Sequence, residues 1–233
     1  GGSMAWGDES GDAHQFTQAL AGMAAARGVS FRYGATALRF AAAGDRVQGL
    51  VCSDDGGSAE WTCVADAYVM AAGVFSTALL KPLGISLNVY PAKGYSATLP
   101  VADPALAYSV SLTDDEYKLV YSRLGDRLRV AGTAELTGYD TTLNPVRCAL
   151  VTRRLLQLFP GIADPARAEL WAGLRPSTPS NVPYIGRSRY RNLYLNTGHG
   201  TLGWTHACGS GRALADIVSG RTPEVDFAFA TPR

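Results

Sequence analysis

The sequence predicts a mixed α/β chain in which two separated segments form a parallel-sheet part around an antiparallel-sheet part. Two short apolar runs, Ala67–Ala71 and Leu193–Leu195, are each followed by a glycine turn and a helical pattern, which is typical of buried strands in a parallel sheet. Between them, residues 87–133 hold aromatic and β-branched stretches separated by turn signals at Asp114-Asp115 and Gly125-Asp126. These stretches favour an antiparallel sheet with one face in solvent.

The first predicted element is a helix over Ala13–Arg27. Asp12 precedes it as the N-cap, Gln15 follows three residues later, and Gly28 ends it. Short strands separated by Ala-Gly-Asp and Asp-Asp-Gly-Gly turns are then expected over Val29–Tyr33, Leu38–Phe40, Val47–Cys52 and Trp61–Val64.

After the Ala67–Ala71 run, Ser76 is predicted to cap a short helix. Five strands follow, over Leu87–Tyr90, Tyr95–Leu99, Tyr108–Leu112, Tyr117–Tyr121 and Leu128–Gly132. Asn144 and Pro145 then start a helix that runs through Phe159, because proline suits the first helical turn. A last helix is expected over Thr205–Val218, after the second apolar run.

Composition excludes several classes of function. The formal charge is +1 and no Lys/Arg run is present, so a nucleic-acid partner is not expected. No apolar stretch reaches transmembrane length, and no signal peptide is visible. Neither the four cysteines nor the three histidines show metal-ligand spacing, so no metal site is expected. Reduced thiols in a cytoplasmic protein are favoured over a disulfide between Cys52 and Cys63.

The spacing Gly198-x-Gly200-x-x-Gly203 matches the dinucleotide fingerprint. A dinucleotide site also needs a βαβ unit and an acidic residue beyond the fingerprint, and only one helix and a short tail follow here. The match therefore predicts an anion site for another group, since a glycine turn entering a helix presents backbone N–H groups and the positive end of the helix dipole. The turn at Ala72-Gly73 is a second place where backbone can approach a ligand.

Several motifs together resemble one protein family. They are Gly173-Leu-Arg-Pro-Ser-Thr-Pro179, Pro183-Tyr-Ile-Gly186, Asn196-Thr-Gly-His-Gly-Thr-Leu-Gly-Trp204 and Pro91-Ala-Lys-Gly-Tyr95. From about Asp8 to Pro223 the chain resembles the C-terminal part of the bacterial FAD-dependent D-amino acid dehydrogenases (small subunit). These belong, with glycine oxidase, sarcosine oxidase and D-amino acid oxidase, to the FAD-dependent amine oxidoreductases.

The resemblance implies a domain organisation. Residues 8–84 and 171–223 are expected to form an incomplete FAD-binding sheet domain, into which an antiparallel substrate domain over 85–170 is inserted. Residues 1–7 are expected to be a residual tag or linker. The family's opening strand, glycine fingerprint and helix, which hold the ADP half of FAD, have no match in this sequence.

The resemblance also implies an activity, the oxidative deamination of D-amino acids to 2-oxo acids and ammonia with hydride transfer to FAD. It further implies a respiratory electron acceptor and loose association with the inner membrane. One alternative is an oxidoreductase of the glycine, sarcosine or hydroxyproline type. Another, from a different class, is a truncated cofactor-free domain that is inactive alone. The sheet edge left exposed by the missing strands makes a homodimer a further hypothesis.

Arg175 is the foremost candidate site residue. A guanidinium after an apolar stretch is costly unless paired, and its fork can hold and orient a substrate carboxylate. From the residues alone, a structural ion pair with Glu169, Asp164 or Glu135 competes with this role. The resemblance favours the carboxylate.

The cofactor-binding residues implied by the resemblance are Ala72, Gly73, Gly198, His199, Gly200, Thr201, Leu202 and Gly203. His199 either contacts the flavin edge or substrate, or is a satisfied histidine behind the site. Tyr117 and Tyr121 are four apart on a predicted strand and hence on one face, which suggests either a substrate pocket or cross-strand aromatic packing. Lys93 is expected at the cleft or, more simply, on a surface hairpin.

Overall fold

The computed structural model describes residues 2–54, 57 and 59–225. In this part of the chain the α-helices are α1 (Ala13–Ala25), α2 (Ser76–Leu80), α3 (Pro145–Leu158) and α4 (Gly203–Val218). The strands are β1 (Ala35–Ala43), β2 (Arg46–Asp54), β3 (Glu60–Cys63), β4 (Tyr68–Met70), β5 (Tyr90–Pro100), β6 (Leu112–Asp114), β7 (Leu119–Leu124), β8 (Arg127–Glu135), β9 (Glu169–Ser177), β10 (Tyr184–Arg187) and β11 (Leu193–Thr197).

The chain divides into two compact units. The first comprises the N-terminal segment up to Ser30 together with Lys93–Leu174, and the second comprises Phe31–Ala92 together with the chain from Arg175. The predicted domains instead group residues 8–30 with the second part and set each boundary a few residues earlier. The FAD-binding and substrate-binding roles of the two parts stay predictions.

Helix α1 begins where its N-cap predicts. The Asp12 carboxylate accepts hydrogen bonds from the backbone N–H groups of His14 and Gln15, at 3.0 and 3.1 Å. Gly28 takes a left-handed φ of 91°, which ends the turn after the helix. The predicted helix is confirmed through Ala25, and the next three residues form a turn.

The strand predicted over Val29–Tyr33 is wrong, because the first strand begins at Ala35. The rings of Phe31 and Tyr33 stack on each other with centroids 5.9 Å apart, and Gly34 turns the chain at a φ of 71°. The alternation of aromatic residues here serves side-chain stacking and not a strand ladder. The next three predicted strands are confirmed as the antiparallel sheet β1-β2-β3.

In the first unit, a five-stranded sheet has the order β6-β7-β8-β5-β9. The β6-β7, β7-β8 and β8-β5 pairs are antiparallel, as predicted. Helix α3 starts at Pro145 with Asn144 as its N-cap, and the Asn144 side chain accepts from Val146 N–H at 3.0 Å. The buried core beside this sheet includes Leu99, Leu119, Leu128, Val130, Val151 and Leu155.

Three predicted strands of this sheet are misplaced. The one predicted over Leu87–Tyr90 is not a strand except at Tyr90, where β5 begins. The strand predicted over Tyr108–Leu112 starts only at Leu112, and the one predicted over Tyr117–Tyr121 starts at Leu119. The carboxylate of Asp114 accepts from the backbone N–H groups of Glu116 and Tyr117, which forms a turn. Tyr117 therefore lies in a turn and does not share a strand face with Tyr121.

In the second unit, β4 and β11 pair in parallel, with Leu193 opposite Tyr68 and Leu195 opposite Met70. All four of these side chains are buried, so both predicted strands are confirmed, although β4 is shorter than expected. Strand β10 pairs antiparallel with the other edge of β11.

A buried amide ties the β1-β2-β3 sheet to the turn before β11. The Asn192 side chain accepts from Val47 N–H and donates to Val47 C=O, both at 2.9 Å. This replaces the two hydrogen bonds that a neighbouring strand would make. Asn192 and Val47 are 4% and 3% exposed, so both polar groups depend on this contact.

Lys93 is buried, and the surface position expected from the sequence is wrong. Its side chain is 2% exposed, and its Nζ donates to Asp140 Oδ2 at 3.1 Å and to the Thr142 carbonyl at 2.8 Å. Glu135, which accepts from the Tyr95 hydroxyl at 2.5 Å, lies 3.4 Å from the same Nζ. Burial alone lowers the pKa of Lys93, but hydrogen bonds with Tyr95 and Asp140 raise it to about 12. The ammonium group therefore stays charged.

Replacing Lys93 with Met removes the cation and keeps the apolar stem. We expect the Tm to fall by several degrees, because two carboxylates and a carbonyl lose a buried donor. Lys118→Met is the matched control, since the Lys118 side chain is 75% exposed and its ion pair with Asp115 is solvated. Scanning calorimetry of both variants tests this, and equal Tm values would contradict it.

The decrease in Tm caused by Lys93→Met should also depend on pH. Hydrogen bonds with Thr142 and Lys93 lower the pKa of Asp140 to about 2, and those with Tyr95 and Lys93 lower the pKa of Glu135. Carboxylates with a depressed folded-state pKa stabilise the fold above their ordinary pKa, and this is lost as the pH falls through the folded value. The Tm difference between wild type and Lys93→Met should therefore shrink between about pH 4 and pH 2. A constant difference over that range would contradict the assignment.

Candidate functional site

Two glycine turns lie at the same edge of the parallel strand pair. Strand β4 ends at Met70 and leads into Ala72 and Gly73, while β11 ends at Thr197 and leads into Gly198. Because parallel strands share a direction, their carboxyl ends meet at one edge, which is where open α/β sheets bind ligands. The structure thus brings together both turns that the sequence singles out.

A buried hydrogen-bonded pair of hydroxyl groups links the two turns. Thr197 Oγ1 lies 3.0 Å from the carbonyl oxygen of Gly73 and 3.1 Å from Ser76 Oγ. Ser76 is fully buried and Thr197 is 1% exposed. Ser76 was expected to cap α2, but it is the first residue of that helix, and no side chain caps it. Its hydroxyl is directed to β11 instead.

The glycines of the turns have conformations that other residues rarely adopt. Gly73, Gly198 and Gly200 have φ values of 55°, 83° and 53°. A side chain at Gly198 would lie 2.9 Å from the Thr178 methyl group, whereas one at Gly73 would have no neighbour within 4 Å. Gly198 is therefore needed for close packing, and Gly73 leaves its backbone open to an approaching ligand.

The second turn leads into the N-terminus of α4. Gly200–Leu202 form a 3₁₀ turn, and α4 starts at Gly203. No side chain caps α4, and no acidic residue lies in its first turn. The first turn of α4 carries the positive end of the helix dipole. Thr201 and Leu202, both predicted cofactor contacts, are exposed beside it.

His199 is turned towards α4. Its Nε2 lies 3.0 Å from Ser210 Oγ, and its ring centroid is 6.4 Å from that of His206. Burial, and then the neighbouring His206, lower the pKa of His199, so the ring is neutral at pH 7. This hydrogen bond supports the interpretation of a satisfied histidine behind the site, and direct contact of His199 with a ligand stays a prediction.

Arg175 lies on β9, two residues before Ser177. It is partly buried, and burial lowers its pKa, although an arginine remains charged at neutral pH. Ser177 Cα lies 3.9 Å from where a side chain at Gly200 would begin, so the strand that carries Arg175 runs beside the second turn. Arg175 therefore belongs to the same unit as both turns.

Two of the carboxylates proposed as structural partners of Arg175 have other partners. Glu135 accepts from Tyr95 and lies 3.4 and 3.6 Å from nitrogen atoms of Lys93 and Arg147. Asp164 accepts from Ala166 N–H at 2.9 Å. Both carboxylates belong to the first unit.

The two tyrosines predicted for a substrate pocket lie in the first unit, in different environments. Tyr121 is 1% exposed and packs edge-on against Tyr108 and Phe159, and burial raises its pKa to about 12. The aromatic-packing interpretation is thus supported for Tyr121. Tyr117 is 37% exposed, with the Arg154 guanidinium 4.0 Å above its ring. The substrate role of either tyrosine stays a prediction.

Sequence reasoning missed four polar residues at this edge. Ser76 and Thr197 form the link between the turns. The other two residues are Thr77, which follows Ser76, and Asn196, which precedes Thr197. Within the described residues, Thr77 Oγ1 and Asn196 Oδ1 are buried without a hydrogen-bond partner. The only available signal was the position of Asn196 and Thr197 directly before a glycine turn, since hydroxyl and amide residues are common at strand ends.

No group of three or more His, Cys, Asp or Glu in residues 2–54, 57 and 59–225 is arranged to hold a metal ion. Over the same residues, every helix is too short or too polar to cross a bilayer.

Sequence relatives, solved structures and a family model all indicate the same family. Relatives named D-amino acid dehydrogenase from Dechloromonas aromatica (strain RCB) and Paramagnetospirillum magneticum are 60% and 57% identical, over 98% and 94% of this chain. The alignments cover 54% and 51% of those relatives, so this chain spans about half their length.

Solved structures confirm the mixed α/β fold. Iminodiacetate oxidase from Chelativorans sp. BNC1 matches with a TM-score of 0.78 at 24% identity, over 94% of this chain and 58% of that one. Glycine oxidase from Geobacillus kaustophilus matches with a TM-score of 0.74 at 25% identity, over 91% and 55%. The model of the FAD dependent oxidoreductase family (DAO) matches residues 1–217. The chain therefore belongs to the FAD dependent oxidoreductase family.

Proposed function

We propose that this chain is the part of a D-amino acid dehydrogenase that binds the flavin ring of FAD and the substrate carboxylate. The reaction is the oxidative deamination of a D-amino acid to a 2-oxo acid and ammonia. Identity of 57–60% to relatives of that name, over nearly all of the chain, supports the substrate class. The structural observation that carries the proposal is the pair of glycine turns at one sheet edge, one of which enters the uncapped helix α4.

The residues at this edge fit a flavin. Gly73 leaves open space where a side chain would lie, whereas a side chain at Gly200 would lie 3.9 Å from Ser177 Cα. The open side of Gly73 allows a flat ring to approach the backbone. Thr77 Oγ1 and Asn196 Oδ1 are buried polar atoms without a partner among the described residues, and a buried polar atom needs one. A flavin ring offers both hydrogen-bond donors and acceptors at its polar edge. FAD, when bound, supplies the acceptor for the hydride that leaves the substrate carbon.

The N-terminus of α4 contributes electrostatic stabilisation. The aligned peptide groups of α4 favour negative charge at its first turn. Because these groups are fixed before reaction, they stabilise developing charge without reorganisation. The neutral His199, hydrogen-bonded to Ser210, supports the turn from behind.

Arg175 binds and orients the substrate. A guanidinium donates two parallel hydrogen bonds to a carboxylate, which fixes the direction of the amino acid as well as its position. The partial burial of Arg175 strengthens that attraction relative to bulk water. Positioning of this kind supplies much of the rate enhancement where no covalent nucleophile is required.

An oxidoreductase of the glycine or sarcosine type is the second candidate, favoured by the structural match to glycine oxidase. A third is that this half-length chain does not retain cofactor by itself. Flavin titration followed by a substrate panel separates all three.

We expect the chain to quench the fluorescence of riboflavin and of FAD with comparable dissociation constants. The residues proposed here contact the flavin ring, and the Gly198–Gly203 match to the dinucleotide spacing is followed by one helix and not by the βαβ unit that holds an ADP half. D-Alanine added without oxygen should then bleach the bound flavin, whereas L-alanine, glycine and sarcosine should not. Preferential bleaching by glycine or sarcosine would favour the second candidate, and the absence of saturable quenching would favour the third.

Arg175→Lys should weaken binding of D-alanine to the flavin-loaded chain by about 10- to 150-fold, because a charged hydrogen bond contributes about 1.5–3 kcal/mol. Lysine keeps the charge but cannot form the two-pronged contact. Arg153→Lys on α3 is the matched control, since Arg153 is exposed in the first unit. Equal substrate affinity of Arg175→Lys and wild type, measured by titration calorimetry, would remove Arg175 from the carboxylate site.

A further inference from the structure

The hydrogen bonds between the two glycine turns have a fixed direction. A carbonyl oxygen only accepts, so the Thr197 hydroxyl must donate to the Gly73 carbonyl. Its single proton is then used, and Thr197 Oγ1 accepts from the Ser76 hydroxyl. We call this ordered chain, from Ser76 through Thr197 to the Gly73 carbonyl, the turn link.

The turn link is buried, and in a buried environment the loss of a hydrogen bond costs the most free energy. Ser76 is fully buried and Thr197 is 1% exposed. Water cannot replace a lost partner there, and a buried hydroxyl left unpaired is costly. The link also joins residues 121 positions apart in the chain, so it acts between the two strands and not within one turn.

Gly73 and Thr197, two members of the link, stand directly beside the surface proposed to receive the flavin. Gly73, the acceptor, holds a left-handed φ of 55° with open space on its side-chain side. Its carbonyl also accepts from the Ser76 backbone N–H, so two groups hold this turn in place. Thr197, the middle member of the link, is followed immediately by Gly198 and the turn into α4.

The residues next to the link in the sequence carry two unsatisfied oxygens. Thr77 directly follows Ser76, and Asn196 directly precedes Thr197. Their Oγ1 and Oδ1 atoms are buried without partners in the described part of the chain. A shift of either strand end would move one of these atoms relative to the other.

We propose that Thr197 and Ser76 are positioning residues for the flavin site. They fix the Gly73 turn relative to the Gly198–Gly203 turn, so that both turns meet the flavin ring together, and neither hydroxyl touches the ring. This inference rests on the proposed function, to which it adds two positioning residues.

Thr197→Val tests the proposal, because valine keeps the β-branched shape and removes the hydroxyl. Thr197→Ser keeps the hydroxyl and should behave like wild type, and Ser76→Ala, which leaves the bond to Gly73 intact, should be intermediate. Thr98→Val is the matched control, since Thr98 is a buried strand threonine of the first unit.

Two measurements are made on each variant. Hydrogen–deuterium exchange without flavin should be about tenfold faster in Thr197→Val at the amides of residues 73–76 and 198–203, which is the loss expected from one buried hydrogen bond. The dissociation constant for riboflavin should rise by a similar factor. Both values should stay at wild-type levels in Thr98→Val.

The outcomes separate the inference from the proposed function. Unchanged exchange at both turns in Thr197→Val overturns the turn link. Faster exchange with unchanged riboflavin affinity leaves a purely structural contact and overturns the positioning role. If wild type binds no flavin, the proposed function fails and the positioning role with it, while the exchange data still decide whether the link orders the turns.

Discussion

The parallel pairing of β4 with β11 is the constraint on which the rest of the candidate site depends. Parallel neighbours cannot be joined by a tight turn, so the chain must leave β4 and return from a distance before β11 can form. The pairing puts the carboxyl ends of both strands at one edge and aligns the turn after Met70 with the turn after Thr197. Without that alignment, neither the uncapped helix α4 nor the open backbone of Gly73 would form part of one surface.

Elements with their own local signals were predictable from sequence. Helices α1 and α3 carry side-chain caps at Asp12 and Asn144 that act within three residues, and β11 is a short apolar run ended by glycine. The strand predicted over Val29–Tyr33 failed because its aromatic residues stack on each other. The strand position predicted for Tyr117 was wrong for a related reason, since the carboxylate of Asp114 accepts a hydrogen bond from its backbone N–H in a turn.

The candidate site likewise has features that could be predicted from the sequence and features that could not. Its glycine turns could be predicted, because a left-handed turn between a strand and a helix restricts the residue type. The hydroxyl pair of Ser76 and Thr197 could not, because its partners are 121 residues apart and neither residue type is specific for the role. The burial of Lys93 could not be predicted either, since its charge is compensated by Asp140 and Glu135, more than forty residues away along the chain.

The Asn192–Val47 contact has a consequence for the order in which the chain folds. Its two residues are 145 positions apart, and the second unit's parallel strands are similarly separated, so this unit has contacts that close very long loops. The antiparallel sheet and α3 of the first unit use much shorter loops and can condense earlier. During synthesis, Phe31–Ala92 must therefore remain without its final core until the segment after Arg175 has left the ribosome. In that interval the exposed strands need protection from aggregation, which makes the second unit the part of the chain most dependent on chaperones.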